Sequence, residues 1–101
     1  MFGKLGDMMG KLQEMKQKAD AVKATLAAIK LTAEGAGGDI KIGITGDRKV
    51  LSLQISDALQ HGNKQELEAQ LLATINKALV AVEKINEEEM KKAAGGILPG
   101  L

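Results

Sequence analysis

The residues of this chain whose types and spacing point most clearly to chemistry are lysines near its start. They lie in two rows with a spacing of seven residues, Lys4, Lys11 and Lys18 in one row and Lys16, Lys23 and Lys30 in the other. Within residues 1–30, these six lysines outnumber three acidic residues, which gives a net charge of +3. A regular row of exposed ammonium groups attracts anions, and the phosphate backbone of a nucleic acid is the long anion that such a row fits best.

An apolar seam runs between the two lysine rows. Its residues alternate at spacings of three and four: Leu5, Met8, Leu12, Met15, Ala19, Val22, Leu26 and Ile29. This heptad spacing predicts a helix that packs along another helix. A helix of about 25 residues is about 38 Å long, which is more than the core of a domain of this size requires. We therefore predict that part of the helix projects, with lysines along its free length.

The same lysines allow other roles. They serve solubility alone if their stems cover the margins of the seam and their ammonium groups stay in water. A basic amphipathic helix also binds lipid surfaces, but this stripe is narrow and contains no Trp or Phe, which fits a protein partner better than a bilayer. Two copies of the helix are not expected to pair, because their flanking lysines would repel each other. An adaptor whose basic helix docks an acidic protein partner is thus the alternative to DNA binding.

The composition restricts the kind of nucleic acid. Unpaired bases and RNA are usually held by aromatic stacking, and the chain has one Phe and no Tyr or Trp. Specific readout of guanine relies heavily on arginine, and Arg48 is the single arginine. Duplex DNA, bound with little sequence preference, is the remaining partner. The residues predicted to contact it are Lys4, Lys11, Lys16, Lys18, Lys23, Arg48, Lys49, Lys91 and Lys92.

Catalytic and cofactor-binding patterns are missing from the sequence. His61 is the single histidine and lies in a predicted loop, and there is no cysteine. The glycines at 35–38 join two predicted strands, whereas a phosphate-binding loop joins a strand to a helix. The acidic residues at 87–89 are consecutive in a predicted helix, so their side chains point in different directions. We predict no enzyme activity, no cofactor, no metal and no small-molecule substrate.

The periodicity of apolar residues predicts a helix, three strands and a second helix. The first helix is expected to fray before Asp7, because its early glycines are poor helix formers, and to end near Lys30. Strands are predicted at 31–34, 39–45 and 50–56, with a hairpin turn at 46–47. The second helix is expected to begin at an Asn63 cap and to run to about Ala94, followed by a C-terminal tail at 95–101.

The predicted strands place six apolar residues on one buried face of the sheet: Ile40, Ile42, Ile44, Leu51, Leu53 and Ile55. The order of elements predicts one α+β domain over residues 1–101, in which the helices and a three-stranded antiparallel sheet form two layers. So small a sheet is marginal and has two unpaired edges, so we expect a homodimer. No apolar run approaches the length of a membrane span, and a cytoplasmic location without membrane contact is expected.

Several short segments, spread over the whole chain, occur in an order and at a spacing that resemble those of a known family. They are the start at 1–4 with Met8 and Met9, the middle from 37–42 through Gly46 and Val50 to 53–55, the helical segment 71–78, and the ending at 95–96 and 98–100. In order and spacing they resemble the YbaB/EbfC family of bacterial nucleoid-associated proteins. The resemblance implies a helix–three-strand–helix fold, a tweezer-like homodimer, DNA binding at the chromosome in the nucleoid, and no enzyme activity.

Overall fold

The computed structural model describes the backbone of residues 2–97 and the side chains of residues 5–95. The elements are helix α1 (Phe2–Ala28), strand β1 (Lys30–Gly35), a 3₁₀ turn (Ala36–Gly38), strands β2 (Ile40–Thr45) and β3 (Val50–Ile55), a short helix α2 (Asp57–Gln60) and the long helix α3 (Lys64–Ile97). The strands form one antiparallel sheet in the order β1-β2-β3. The predicted order of helix, three strands and helix is confirmed, and α2 is an addition within the expected connection.

Both long helices extend further than predicted. Helix α1 begins at Phe2, where fraying was expected up to Asp7, and α3 continues through the glycines at 95–96 to Ile97. One glycine costs a helix only about 1 kcal/mol relative to alanine, and good helix formers surround the glycines in both helices. The predicted tail is therefore helical as far as Ile97, and residues 98–101 lie outside the described part of the chain.

The core lies between α3 and the first two strands. Ile40, Ile42 and Ile44 of the central strand are each at most 2% exposed, and Ala78 and Val82 of α3 are buried against the same cluster. Helix α3 packs on β1 and β2. A helix is about 10 Å wide and neighbouring strands are about 4.8 Å apart, so one helix covers two strands.

Strand β3 lies outside the covered part of the sheet, and here the prediction of a buried face was wrong. Leu51 and Leu53 are 56% and 52% exposed. The ladder between β2 and β3 is also irregular next to Ile44, which pairs with Val50, so Leu51 has no partner in the register. The alternation predicted the face of Leu53 and Ile55 correctly, whereas Val50 takes the place expected for Leu51 opposite Ile44. A single helix is too narrow to cover this third strand.

Gly46, in the turn between β2 and β3, joins three elements. Its N–H donates to the Ile29 carbonyl at 2.9 Å, and its own carbonyl accepts a 2.7 Å hydrogen bond from Asn86 Nδ2 of α3. A Cβ atom at this position would lie 2.6 Å from the Leu26 carbonyl oxygen. The last turn of α1 therefore rests directly on the backbone of the β2–β3 turn, and this contact fixes where α1 leaves the domain.

The crowding at Gly46 predicts opposite effects for two identical substitutions. We expect Gly46→Ala to destabilise the protein by about 1–3 kcal/mol, because the added methyl group meets backbone that cannot move alone. Gly10→Ala should stabilise it by about 0.5–1 kcal/mol, because alanine is the better helix former and its Cβ would meet no atom within 4 Å. Urea unfolding followed by circular dichroism, at one protein concentration, measures both. Equal effects would contradict this description of the junction.

Candidate nucleic-acid interface

Helix α1 and the last part of α3 form an elongated projection. Met15 lines one groove with Met90 and Ala94, and Val22, nearer the sheet, lines a groove with Glu89. Residue numbers toward the sheet therefore rise along α1 and fall along α3, so the two helices are antiparallel. Their contact ends at Gly46. The described residues measure 71 × 23 × 18 Å. We name the projection, residues 5–25 of α1 and 86–95 of α3, the arm.

The outer part of α1 is not covered by other described residues. Leu5, Met8 and Leu12 are 59%, 62% and 64% exposed, whereas Leu26 at the inner end is buried. Packing against α3 begins at Met15 and continues toward the sheet. The prediction that α1 projects beyond the core is confirmed. Of the two lysines on this free length, Lys11 is exposed, and the side chain of Lys4 lies outside the described residues.

The lysines of α1 differ in their surroundings. Lys11, Lys16 and Lys23 are exposed along the arm. The Lys18 side chain is 33% exposed, lines the grooves between α1 and α3, and has its Nζ 3.9 Å from Glu14 Oε1. Lys18 is thus part of the helix–helix contact as well as a cation. Lys4 belongs to α1, but its side chain lies outside the described residues.

The other predicted contact residues lie at the base of the arm or on its second helix. Arg48 and Lys49 are exposed in the β2–β3 turn, which Gly46 ties to both helices. Lys91 and Lys92 are exposed on α3, and Lys92 Nζ lies 3.3 Å from Glu89 Oε1. The Lys92 side chain is itself 73% exposed, so its ammonium group remains available to phosphates. All predicted contact residues with described side chains therefore lie on the arm or at its base.

The basic and acidic side chains of α1 lie on different faces of the helix. Its lysines flank the apolar seam, whereas the acidic side chains of Asp7, Glu14 and Asp20 occupy positions further round the helix. The acidic turn at 87–89 offsets the lysines of α3. An anion is therefore attracted to the face that carries the seam and its lysines, and not to the arm as a whole.

A second surface, not predicted as such, is an apolar groove beside β3. It has a volume of about 160 Å³ and is lined by Ile42, Ile44, Val50, Leu53, Leu71, Ile75, Ala78 and Leu79. We name it the β3 groove. Leu72 and Val80 on α3 are also 61% and 67% exposed. The signal in the sequence was Leu72 and Leu79, which lie beside the main apolar stripe of α3 and make the apolar face of this helix wider than one sheet face can cover.

Membrane-spanning and metal-binding features are both missing from the described residues. None of the helices in this part of the chain combines the length and the apolar character that a membrane span requires. Its histidine and acidic side chains form no group of three that would hold a metal ion.

The family comparison identifies the kind of protein to which this arm belongs. The model of the YbaB/EbfC DNA-binding family matches residues 1–97. The chain belongs to the YbaB/EbfC family. This is a family of DNA-binding proteins and not of enzymes, and the resemblance inferred from the sequence is confirmed.

Individual relatives agree with this membership. The chain is 34% identical over 73 residues to a nucleoid-associated protein of Caldicellulosiruptor saccharolyticus, covering 71% of this chain and 65% of the relative. The match thus spans less than two thirds of that relative's length. A nucleoid-associated protein of Hahella chejuensis is 33% identical over 95 residues, with 94% and 88% covered.

A solved structure shows the same fold. The crystal structure of an uncharacterized protein from Helicobacter pylori has a TM-score of 0.79 to this chain at 23% identity. The similarity covers 94% of this chain and 98% of the other. The elongated helix–sheet–helix architecture is therefore one that another bacterial protein adopts.

Proposed function

We propose that this protein binds duplex DNA with little sequence preference through the arms of a homodimer, at the nucleoid in the bacterial cytoplasm. The observation that carries the proposal is the arm, which holds lysines exposed at regular spacing in a member of a DNA-binding family. The names of its relatives, nucleoid-associated proteins, support the location.

The chemistry of the arm favours duplex backbone over bases. Lysine is a flexible point charge that binds phosphate without a fixed geometry, and phosphate contacts carry no direct sequence information. Arg48 is exposed at the base of the arm and is the single arginine of the chain, the residue type on which specific recognition of guanine mainly relies. Nearly all of the binding free energy should therefore come from charge.

The β3 groove supports the homodimer. Exposed apolar surfaces of this kind mark interaction sites, and all the described side chains that line the groove are apolar. Strand β3 is also an edge of the sheet, so its outer N–H and C=O groups have no strand partner within the described residues. In a two-fold dimer the same surface on each copy meets itself, so a second copy of this chain covers both features and gives the molecule two arms.

Two duplexes of equal length and unrelated sequence test the proposed function. We expect fluorescence anisotropy titrations with an AT-rich and a GC-rich duplex to give dissociation constants within about threefold of each other, because the lysines neutralise phosphates. A preference above about thirtyfold would show direct base recognition and contradict low specificity. No binding to either duplex would contradict DNA binding itself.

A further inference from the structure

The outermost part of the arm carries apolar surface that the described residues leave about half exposed or more. Leu5, Met8, Leu12 and Met15 follow one another along α1 at heptad spacing and are between 49% and 64% exposed. The side chains of α3 are described as far as residue 95, and among them Met90 and Ala94 cover the inner continuation of this stripe as far out as Met15. The spacing is that of a helix which packs along another helix, and the described residues contain no partner helix for the outer seam.

The residues that flank the seam indicate what kind of helix fits. Lys11 is exposed on one side and Lys16 on the other. In paired helices, residues at the flanking positions form ion pairs across the interface and set the choice of partner. Lysines on both flanks disfavour a second copy of this arm, through repulsion, and favour a helix with glutamates on its flanks.

We propose that the outer seam, residues 5–16, docks an acidic amphipathic helix of another protein. Leucines or similar residues of that helix pack on Leu5, Met8 and Leu12, and its flanking carboxylates pair with Lys11 and Lys16. Because the proposed DNA contact uses the same two lysines, the acidic helix and the duplex exclude each other. This last consequence rests on the proposed function, whereas the docking itself does not.

A synthetic peptide of three heptads serves as the probe. In each heptad it carries leucine at the two positions of the seam and glutamate at the two positions that flank the seam. The glutamates of two peptides repel each other, so the peptide does not pair with itself. A control peptide carries lysine in place of each glutamate. We expect the labelled acidic peptide to bind the full chain, the lysine peptide not to bind, and duplex DNA to displace the acidic peptide.

Variants of the chain locate the binding surface. Leu12→Gln should weaken peptide binding roughly ten- to hundredfold, because an apolar side chain no longer packs against the peptide there. Gln17→Ala, on the face of α1 opposite the seam, should leave it unchanged. Leu12→Gln should bind duplex DNA within about twofold of wild type, since it removes no charge. A wild-type chain that binds peptide but not DNA would overturn the proposed function and leave the docking site standing.

Four results would overturn the docking proposal. They are no binding of the acidic peptide, equal binding of both peptides, binding unaffected by Leu12→Gln, and salt-induced assemblies larger than a dimer that Leu12→Gln abolishes. High salt screens the repulsion between lysine rows, so the last result, measured by sedimentation, would assign the seam to a second copy of this chain.

Discussion

Leu53→Asp is expected to separate the homodimer into folded monomers. Leu53 lines the β3 groove and is half exposed within one chain, so the proposed dimer buries it and the isolated domain does not. By symmetry the substitution places two unpaired charges in the interface. Their burial costs roughly 4 kcal/mol or more in total, which raises the dissociation constant about a thousandfold.

Light scattering at micromolar concentration measures this effect. Wild type should have about twice the chain mass of 10.6 kDa and the variant about 10.6 kDa, with the helical circular dichroism signal retained. The control is Gln54→Asp, which adds the same charge to the same strand on the opposite face, beside Lys41, and should remain dimeric. A dimeric Leu53→Asp protein would contradict the interface, and an unfolded one would show that the groove belongs to the folding core.

Replacing Lys16 and Lys23 together with glutamine is expected to reduce the salt dependence of DNA binding. Both are exposed on the same flank of α1, seven residues apart. The slope of log K against log salt changes by about 0.9 for each phosphate that is no longer neutralised, so the pair should flatten it by roughly 3.6 if both arms bind and by about 1.8 if one does. Glutamine is nearly as good a helix former as lysine, so the arm should remain helical.

A matched pair of lysines away from the arm provides the control. Lys41 is exposed on β2, and Lys64 is exposed at the opposite end of α3 from the arm. Lys41→Gln with Lys64→Gln removes the same net charge and should leave the slope within about 0.5 of wild type. Equal slopes in both double variants and wild type would show that Lys16 and Lys23 do not bind phosphates.

Local patterns predicted the elements of the fold because they depend on neighbouring residues. The heptad seam of α1 and the alternation in β2 gave the correct structures, and the glycine at 46 gave the turn. Asn63 caps α3 as predicted, since its Oδ1 accepts hydrogen bonds from the N–H groups of Gln65 and Glu66. Each of these features is encoded within a few residues of sequence.

Features that depend on the spatial relation of distant elements were not predictable in the same way. The alternation in β3 placed Leu53 on the correct face, but the width of α3 determines that this face stays uncovered. Similarly, Lys18 has the same spacing as Lys11, yet the antiparallel contact with α3 makes it half buried. The heptad pattern predicts on which face of α1 a lysine lies. It does not predict how far along α1 the contact with α3 extends, and this determines which lysines are partly buried.

The salt dependence of duplex binding by the wild-type protein tests the central claim most directly. If the arms of a dimer hold DNA through lysines, log K should fall linearly with log salt, with a slope steeper than about −3.6, the share of Lys16 and Lys23 from two arms. The slope should be the same for AT-rich and GC-rich duplexes, because phosphates are common to both. A binding constant that does not change with salt would contradict the account.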